Sequence, residues 1–418
     1  MSEPRDTRGP RRIAYLVSRF PKLTETFVLY EMLEVESQGT SIDLYPLQRE
    51  RVRTMHAEAE PWMPRAHFTP ALSWPIVMAN LRTLVRRPRL YVTTLASLLA
   101  STWGSLRFWV GGLVFYPKAV YFAERMAADS IEHLHAHFAN HPAAMAWVVH
   151  RLSGIPYSFT AHGSDLHCDR HMLKEKVQDA AFVIAISEYN RNVILAECGP
   201  SVGSKVLVIH CGVDLQAFRP VAAAPSQSQR VPSILSIGTL HEVKGQTYLI
   251  EACRLLAAKG LEFTCHFIGD GPDQDSLSRQ VARAGLGARV TFHGRKTQEE
   301  VRALLSRADL VAVPSVPTSG GRREGIPVVL MEAMSCGIAV VASRLSGIPE
   351  LVLDDSTGLL VEPRDANGLA EALERLLRDP NLRRRLGDAA RAKVEREFDL
   401  RKNAAALTRR FLGAEVEA

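Results

Sequence analysis

Two glutamates frame the segment of this sequence best suited to chemistry. Glu324 and Glu332 bracket the stretch EGIPVVLME, which follows an apolar run ending at Pro314 and a loop that contains Ser319-Gly320-Gly321. Pro327 fits the first position of a helix, where its missing N–H costs nothing. A helix start presents unpaired N–H groups and a positive dipole end, which suit a diphosphate. Glu324 could then accept hydrogen bonds from sugar hydroxyls and Glu332 from a ribose. The alternative is a solvated Glu324 and an ion-paired Glu332.

A lysine and a histidine follow two other predicted strands. Lys244 comes after the strand 233–237 and directly before Gly245, which opens a helix, so its ammonium group could neutralise a leaving diphosphate. His162 follows the strand 157–161, and Gly163 beside it would allow a ligand to approach the backbone closely. An ordinary surface lysine and a structural loop histidine are the alternatives. The turn Gly269-Asp270-Gly271-Pro272 either shapes a nucleotide pocket or is a plain turn.

Histidines cluster at another predicted strand. His133, His135 and His137 alternate, which places all three on one face of a strand. We find no cysteine or carboxylate close in sequence that would complete a ligand set for zinc. Because Lys244 and a helix start can serve a diphosphate, we predict no metal cofactor. His137, at the strand end, is predicted to touch an acceptor or a donor.

These residues need a scaffold, and the pattern predicts two doubly wound Rossmann-like domains with a cleft between them. Short apolar strands alternate with helical stretches, as in a parallel sheet covered on both faces. We expect a first domain at 1–220 and a second at 221–395, joined by a Pro- and Ser-rich linker at 219–232. The last helix, 396–418, is expected to cross back to the first domain. The predicted strands are 13–18, 42–47, 131–136, 157–161, 182–186, 206–209, 233–237, 263–268, 290–293, 310–314, 339–343 and 358–361.

Charge is concentrated in one part of the first domain. The chain carries a net charge of +6, and residues 62–127 hold eight Lys or Arg against one Glu together with four of the five tryptophans. A basic, Trp-rich, apolar segment suits an anionic membrane surface. The alternatives are a helical insertion that packs on its own domain and a membrane span. Scattered cysteines without a CxxC pair and a polar N-terminus favour a cytoplasmic protein, peripheral on the inner face of the membrane.

The motifs resemble those of a known family. EGIPVVLME, GTLHEVKGQ, FIGDGP, FHGR and SRLSGIPELV are similar to segments of glycosyltransferase family four, whose members have the GT-B fold and retain anomeric configuration. SRFPKLTETFV, HLHAHFA and SFTAHGSDL resemble the transferases of bacterial exopolysaccharide and colanic-acid-type assembly.

The resemblance implies that the domain at 1–220 binds the acceptor and the domain at 221–395 binds the nucleotide sugar. It also implies roles for individual residues. It assigns the donor hexose to Glu324, the ribose to Glu332, the donor phosphates to Lys244 and a place beside the donor sugar to His162. The backbone of Arg295, in FHGR, would lie by the base. The helix-start residues and the GDGP turn would complete the donor site, with Gly271, Gly325, Ile326, Pro327 and Val328.

Two departures from the family pattern bear on the phosphates and the acceptor. An arginine commonly stands five residues before the phosphate-binding lysine, where this chain has Thr239. We predict that Arg323, more than Arg322, supplies the missing cation; the alternative is that both are solvated. Arg19 and Pro21 replace glycines of the family's first loop, so Arg19 is assigned to the acceptor side.

The expected function is retaining transfer of a hexose from a nucleoside diphosphate sugar to a hydroxyl of a lipid-linked or oligosaccharide acceptor. We expect a membrane surface as a partner, no nucleic acid and no cofactor. The alternatives are a nucleotide-sugar epimerase on the same fold and a non-catalytic sugar-binding scaffold.

Overall fold

The computed structural model describes residues 12–22, 25–51, 55–70, 73–220 and 230–413. Two compact units divide the chain. The first extends to Ile209 and takes up the chain again from Ala404, and the second is His210–Asn403. Most of the predicted linker, residues 221–229, lies outside the described residues.

The first unit is built on a six-stranded parallel sheet with the order β2-β1-β3-β4-β5-β6. Its strands are β1 (Arg12–Phe20), β2 (Ser41–Arg49), β3 (His133–His137), β4 (Tyr157–Ala161), β5 (Phe182–Ala185) and β6 (Val206–Val208). Its helices are α1 (Thr26–Ser37), α2 (Trp74–Arg86), α3 (Pro88–Ser101), α4 (Leu106–Ala128), α5 (His141–Ser153), α6 (Ser164–His167), α7 (Leu173–Asp179) and α8 (Glu188–Cys198).

The second unit repeats this design with the order β12-β11-β10-β7-β8-β9, again parallel throughout. Its strands are β7 (Ser233–Ile237), β8 (Thr264–Ile268), β9 (Val290–Phe292), β10 (Leu310–Val313), β11 (Ala339–Ser343) and β12 (Leu359–Val361). Its helices are α9 (Gln246–Ala258), α10 (Gln274–Arg283), α11 (Gln298–Leu305), α12 (Val328–Ser335), α13 (Ile348–Leu351), α14 (Ala366–Arg378) and α15 (Pro380–Glu397), and α16 (Leu400–Phe411) ends the described chain.

Each sheet has an apolar core on both faces. In β10, Leu310 and Ala312 belong to one buried cluster, whereas Val311 and Val313 belong to another. Successive side chains of a strand point to opposite faces, so this alternation shows that both faces are covered. Because sheets buried on both faces need continuous apolar runs, the short runs in the sequence are a reliable strand signal here. The predicted pair of doubly wound parallel α/β sheets is confirmed.

The last helix, α16, completes the first unit. Ala404, Leu407 and Phe411 are buried in one cluster with Ile13 of β1. The ring of Phe411 lies 6.2 Å from that of Tyr15 in an edge-on arrangement. The helix therefore covers one face of the first sheet.

Candidate functional site

The order of the second sheet creates one distinctive edge. From β7 the chain proceeds to β8 and β9 on one side, and β10 is then laid down on the other side of β7. The carboxyl ends of β7 and β10 are therefore a topological switch point, where open parallel sheets bind ligands. The loop after β7 carries Lys244, and the loop after β10 carries Glu324.

Lys244 and Glu324 meet at this switch point. The Lys244 ammonium group and one carboxylate oxygen of Glu324 form an ion pair, and the hydroxyl of Ser315 donates to the other carboxylate oxygen. The side chains of Lys244 and Glu324 are only 20% and 14% exposed, and Ser315 is buried. The cation and the carboxylate thus neutralise each other in a partly desolvated site.

Two glycines bring Lys244 to this position. Gly245 has a left-handed φ of +66°, and a Cβ there would lie 1.9 Å from the carbonyl oxygen of Pro314. Gly238, with φ +150°, lies against the lysine stem, and a Cβ there would be 3.0 Å from Cε of Lys244. A larger residue at 245 would push the β7–α9 loop away from the end of β10. The glycines therefore serve close approach of two backbones and of one side chain.

The helix start predicted beside Glu324 is present, with one correction. Helix α12 begins at Val328, so Pro327 stands one position before the first helical residue, with an extended backbone. Residues 325–327 connect Glu324 to this start, with Ile326 buried. An eight-residue helix with unpaired N–H groups at its first turn offers partial positive charge next to the Lys244 ammonium group.

Glu332 lies further along α12 in an apolar setting. Its carboxylate is half-buried, and burial raises the pKa to about 7, with Arg302 acting weakly in the opposite direction. Among the described residues no side chain forms a hydrogen bond with it, so the alternative of an ion-paired Glu332 finds no support there. A carboxylate with a pKa of about 7 and no side-chain hydrogen bond among the described residues can accept hydrogen bonds from a ligand.

The structure places the proposed replacement arginines on the loop that leads to Glu324. Arg322 is exposed, and its backbone N–H donates to Oγ1 of Thr318 (3.0 Å). Arg323 is half-buried, and Thr239, on the loop after β7, is exposed. The participation of Arg323 in phosphate binding stays a prediction.

Arg295 and Gly271 lie at the ends of neighbouring strands. The Arg295 guanidinium forms a two-point ion pair with Asp270, with N–O distances of 2.9–3.2 Å. A Cβ at Gly271 would lie 2.2 Å from the carbonyl oxygen of Leu240, so the glycine is required by packing of the GDGP turn on the β7 loop. This packing accounts for the glycine without a ligand.

In the first unit, the loops after β3 and β4 are held together by one buried carboxylate. Asp165 accepts hydrogen bonds from the backbone N–H groups of Ala139 (2.6 Å), His162 (3.1 Å) and Gly163 (2.7 Å). Burial raises the pKa of Asp165, and these N–H donors oppose that shift. The buried ammonium group of Lys176 binds the carbonyl oxygen of Ala139 from the other side. The carboxylate of Asp165 therefore fixes the loop that carries His162 by accepting hydrogen bonds from the loop's backbone N–H groups.

His162 is buried among aromatic and imidazole rings, with 7% of its surface exposed. Its ring lies 4.7 Å from Phe27 and 4.6 Å from Phe138, and its Nε2 is 3.0 Å from Nδ1 of His137. Burial, and secondarily His137, holds the pKa of His162 well below its ordinary value, so the ring is neutral.

The contact of His137 with an acceptor or donor stays a prediction. Its side chain is 0% exposed, with Nε2 lying 3.1 Å from Glu31 of α1 and Nδ1 lying 3.0 Å from Nε2 of His162. Arg19, also assigned to the acceptor side, is exposed and bonds Gln48 (3.0 Å) and Glu50 (3.3 Å) at the end of β2.

The argument against a metal at the histidine cluster needs revision. Glu31 of α1 lies with His135 and His137 so that one ligand atom of each falls within 4.8 Å of the others. A carboxylate is therefore present, although it is distant in sequence. The chain also contains an Asp-x-Asp triplet, Asp273-Gln274-Asp275, at the start of α10, and no third potential ligand gathers with it among the described residues. Metal independence stays a prediction.

The basic segment, residues 62–127, forms helices α2 and α3 and nearly all of α4. Eleven of the fourteen large apolar residues that are exposed in the described chain fall between Trp74 and Val114. Trp74 and Leu106 are 73% and 78% exposed, whereas Trp62 is buried in the core. Among the described residues, no helix combines the length and apolar character needed to cross a bilayer.

Comparison with known proteins agrees with this geometry. The family described as glycosyl transferases group 1 matches residues 223–393, and Glycosyltransferase Family 4 matches residues 86–217. An Escherichia coli protein with the provisional name colanic acid biosynthesis glycosyltransferase WcaL is 40% identical over 47% of this chain and 48% of its own length. Its Salmonella typhimurium counterpart is 29% identical over 93% of this chain and 96% of its length.

The match with the E. coli protein thus spans about half of that relative's length. Among solved structures, Anabaena Alr3699/HepE in complex with UDP-glucose has a TM-score of 0.71 at 19% identity, covering 96% of this chain and 99% of its own.

The two doubly wound sheets, with a paired lysine and glutamate at the switch point of the second sheet, define a GT-B glycosyltransferase scaffold. The two family models, over residues 86–217 and 223–393, together with the colanic acid relatives, support a family 4 glycosyltransferase that resembles exopolysaccharide enzymes.

Sequence reasoning missed three residues of these sites. Ser315 holds Glu324, Asp165 fixes the His162 loop, and Glu31 faces His137. A serine at a strand end and an aspartate three residues after His162 were visible in the sequence as possible loop anchors. Glu31 was not, because its contact depends on how α1 packs against the sheet.

Proposed function

We propose that this chain is a retaining hexosyltransferase. It moves a hexose from a nucleoside diphosphate sugar to a hydroxyl of a lipid-linked glycan during synthesis of an exopolysaccharide or another envelope polysaccharide. The observation that carries the proposal is the Lys244–Glu324–Ser315 cluster at the β7/β10 switch point, next to the start of α12.

The cluster has the parts that donor chemistry requires. An incoming diphosphate competes with Glu324 for Lys244, and the N–H groups at the α12 start add partial positive charge for the departing phosphate. Glu324, released from Lys244 but still bound to Ser315, then accepts hydrogen bonds from the sugar. The family resemblance implies that Glu332 accepts from the ribose and that the backbone of Arg295 lies by the base. It also assigns His162 a place beside the donor sugar.

The family resemblance implies that the anomeric configuration is retained, and the role of Glu324 bears on how this is achieved. A double displacement needs a carboxylate nucleophile aimed at the anomeric carbon. Glu324 is held by the hydroxyl of Ser315 and is assigned to the hydroxyls of the donor sugar, which favours a binding role. Attack on the same face as the departing phosphate, with that phosphate accepting the proton of the acceptor hydroxyl, therefore fits better.

The rival functions differ in their products. An epimerase would convert the nucleotide sugar without an acceptor, and a sugar-binding scaffold would release nothing. Native mass spectrometry with a panel of UDP-, GDP- and ADP-sugars, followed by incubation with lipid extract, separates the three. UDP-glucose is the first donor to test because HepE, which shares the fold, was solved with it. We expect one sugar class to bind and a glycosylated lipid to appear. Binding with epimerised sugar as the product, or binding without any product, would refute the proposal.

We further propose that the protein acts at the cytoplasmic face of a membrane and docks through α2 and the start of α4. On α2, the exposed residues Trp74, Val77, Leu81 and Val85 recur at helical spacing and form one apolar stripe. Leu106, Val110, Leu113 and Val114 do the same on α4.

Charge completes this surface. Arg86, Arg89 and Arg107 are exposed and form no ion pair among the described residues. Arg82 and Arg125 are neutralised by Glu124 and Asp129, and Lys118 is buried, so the effective positive charge is smaller than the sequence count implies. Apolar stripes flanked by unpaired arginines suit an anionic lipid surface.

Sedimentation with vesicles tests the docking proposal. Wild-type protein should pellet with vesicles containing phosphatidylglycerol and be partly released by salt, since surface attraction is screened. Val85→Glu with Leu106→Glu should reduce binding strongly. Leu353→Glu, an exposed leucine in the second unit, is the matched control. Equal sedimentation of all variants would exclude this surface.

A further inference from the structure

A cluster of side chains that commonly bind metals lies on one face of the first sheet. Glu31 of α1 and His135 and His137 of β3 each offer one ligand atom, and these atoms lie within 4.8 Å of one another. The two histidines share a face because they stand two positions apart on a strand. Met32, which follows Glu31, is buried in one apolar cluster with Ile13 of β1. The packing of α1 on the sheet therefore brings a carboxylate to two imidazoles that are distant in sequence.

The shortest contact in this cluster has nearly the length expected between two ligands of one ion. Nε2 of His137 lies 3.1 Å from Oε1 of Glu31, yet this buried nitrogen has no hydrogen-bond partner among the described residues. Zinc binds imidazole nitrogen and carboxylate oxygen at about 2.0–2.2 Å, which places neighbouring ligands of a tetrahedral site about 3.3–3.5 Å apart. An ion bound by both atoms would therefore require only a small separation of them.

The charge of Glu31 also favours a cation at this place. Its side chain is 19% exposed, and among the residues that the structure describes no lysine or arginine forms an ion pair with it. The Tyr15 hydroxyl donates to Oε1 (3.1 Å), which satisfies a lone pair and leaves the charge. Buried carboxylates are usually paired with a cation or coordinate a metal. A divalent ion would supply the positive charge.

His135 can provide the third bond at a small cost. Its ring is fully buried, with Nδ1 lying 2.8 Å from the hydroxyl oxygen of Ser158 and Nε2 lying 3.0 Å from that of Thr160. A metal bond at one nitrogen replaces one of these contacts, and the hydroxyl that is released can rotate. The other hydroxyl keeps its contact and orients the ring, as outer partners of ligating histidines do. Recruiting His135 therefore costs one neutral hydrogen bond.

We propose that Glu31, His135 and His137 bind one zinc ion, which ties α1 to β3. Two imidazoles and one carboxylate are a donor set that suits zinc. The ion is structural, and the inference does not depend on the proposed function. It also takes no part in binding the diphosphate, which is assigned to residues of the second unit, so turnover well below the melting temperature should still survive EDTA.

Isothermal calorimetry tests the site. Full-length protein stripped of metal by a chelator would be titrated with zinc chloride, and we expect one ion per chain. Glu31→Gln and His135→Asn should each weaken binding at least about 100-fold, because each removes a ligand. His266→Asn is the matched control, since it removes one ring of the other close imidazole pair, His266 and His293, whose Nδ1 and Nε2 atoms lie 3.0 Å apart. This variant should bind zinc as the wild-type protein does.

X-ray absorption at the zinc edge reads the ligands without any variant, so it decides the question even if a variant does not fold. We expect two imidazoles and a carboxylate oxygen at about 2.0–2.2 Å. Zinc should also raise the melting temperature of the wild-type protein and not that of Glu31→Gln, because an ion that binds only the folded chain stabilises it.

Several results would overturn the inference. They are the absence of zinc binding by the wild-type protein, equal affinity in Glu31→Gln, loss of binding in His266→Asn, and a bound zinc without two imidazole ligands. None of these measurements uses a sugar donor or an acceptor. Failure of the zinc site would therefore leave the proposed function standing, and failure of transfer would leave the zinc site standing.

Discussion

Replacing Glu324 with glutamine should have opposite effects on nucleotide binding and on turnover. The substitution keeps the shape of the side chain and its contact with Ser315 but removes the charge that neutralises Lys244. In the wild-type protein a diphosphate must displace this carboxylate from the lysine. A hydrogen bond to a charged group contributes about 1.5–3 kcal/mol. Because Lys244 retains some exposure, we take the low end, which corresponds to roughly tenfold tighter nucleoside diphosphate binding.

Turnover should fall in the same variant. The sugar loses a charged acceptor that is proposed to strengthen as the transition state forms, and losing one such contact costs about 100-fold in kcat. Isothermal calorimetry with UDP, GDP and ADP measures the first effect, and release of nucleoside diphosphate from the donor measures the second. Glu251→Gln, which breaks an exposed pair with Arg254 on α9, is the control. Weaker nucleotide binding or unchanged turnover in Glu324→Gln would refute the assignment of the cluster.

Three further predictions follow from the same site. Burial raises the pKa of Glu332 to about 7, so the stability that this group contributes is present below its unfolded pKa and is lost as the pH rises through 7. Glu332→Gln should therefore raise the free energy of unfolding at pH 8 by roughly 2 kcal/mol in urea titrations, while weakening nucleotide binding. A variant no more stable than the wild-type protein would contradict this. Turnover should survive EDTA, because Lys244 and the α12 start serve the diphosphate; activity abolished by EDTA and restored by Mg²⁺ or Mn²⁺ would show that the electrostatics were misjudged. Arg323→Ala should lower turnover and Thr239→Arg should partly restore it, and steady-state kinetics unaffected by Arg323→Ala would mean that Lys244 acts without a second cation.

The strands could be predicted because their signal is local. Each of the twelve is a short apolar run, and the predicted and observed bounds differ by at most two residues at either end. Strand 157–161 agrees at both ends, since it lies between Pro156 and the His162 loop. Helix α12 was located as accurately apart from Pro327, which precedes the helix instead of starting it.

The partners within the sites could not be predicted in this way. Lys244 and Glu324 are 80 residues apart in sequence, and their pairing depends on β10 lying next to β7, which is a property of sheet order. His137 was placed on the correct strand, but its burial depends on α1 covering that face. Charge counting likewise exaggerated the basic surface, because Lys118 turns inward to the carbonyl oxygen of Leu47 (2.8 Å). The helices and strands were predicted well, whereas the contacts between them were not.

Acceptor-dependent release of nucleoside diphosphate is the most direct test of the central claim. Purified protein would be incubated with the sugar nucleotide selected by native mass spectrometry, with and without a lipid-linked glycan fraction, alongside Lys244→Ala. We predict rapid release by the wild-type protein only when the acceptor fraction is present, and loss of that release in Lys244→Ala. Equal release with and without acceptor, or undiminished release by Lys244→Ala, would contradict the claim that this cluster transfers a sugar to an acceptor.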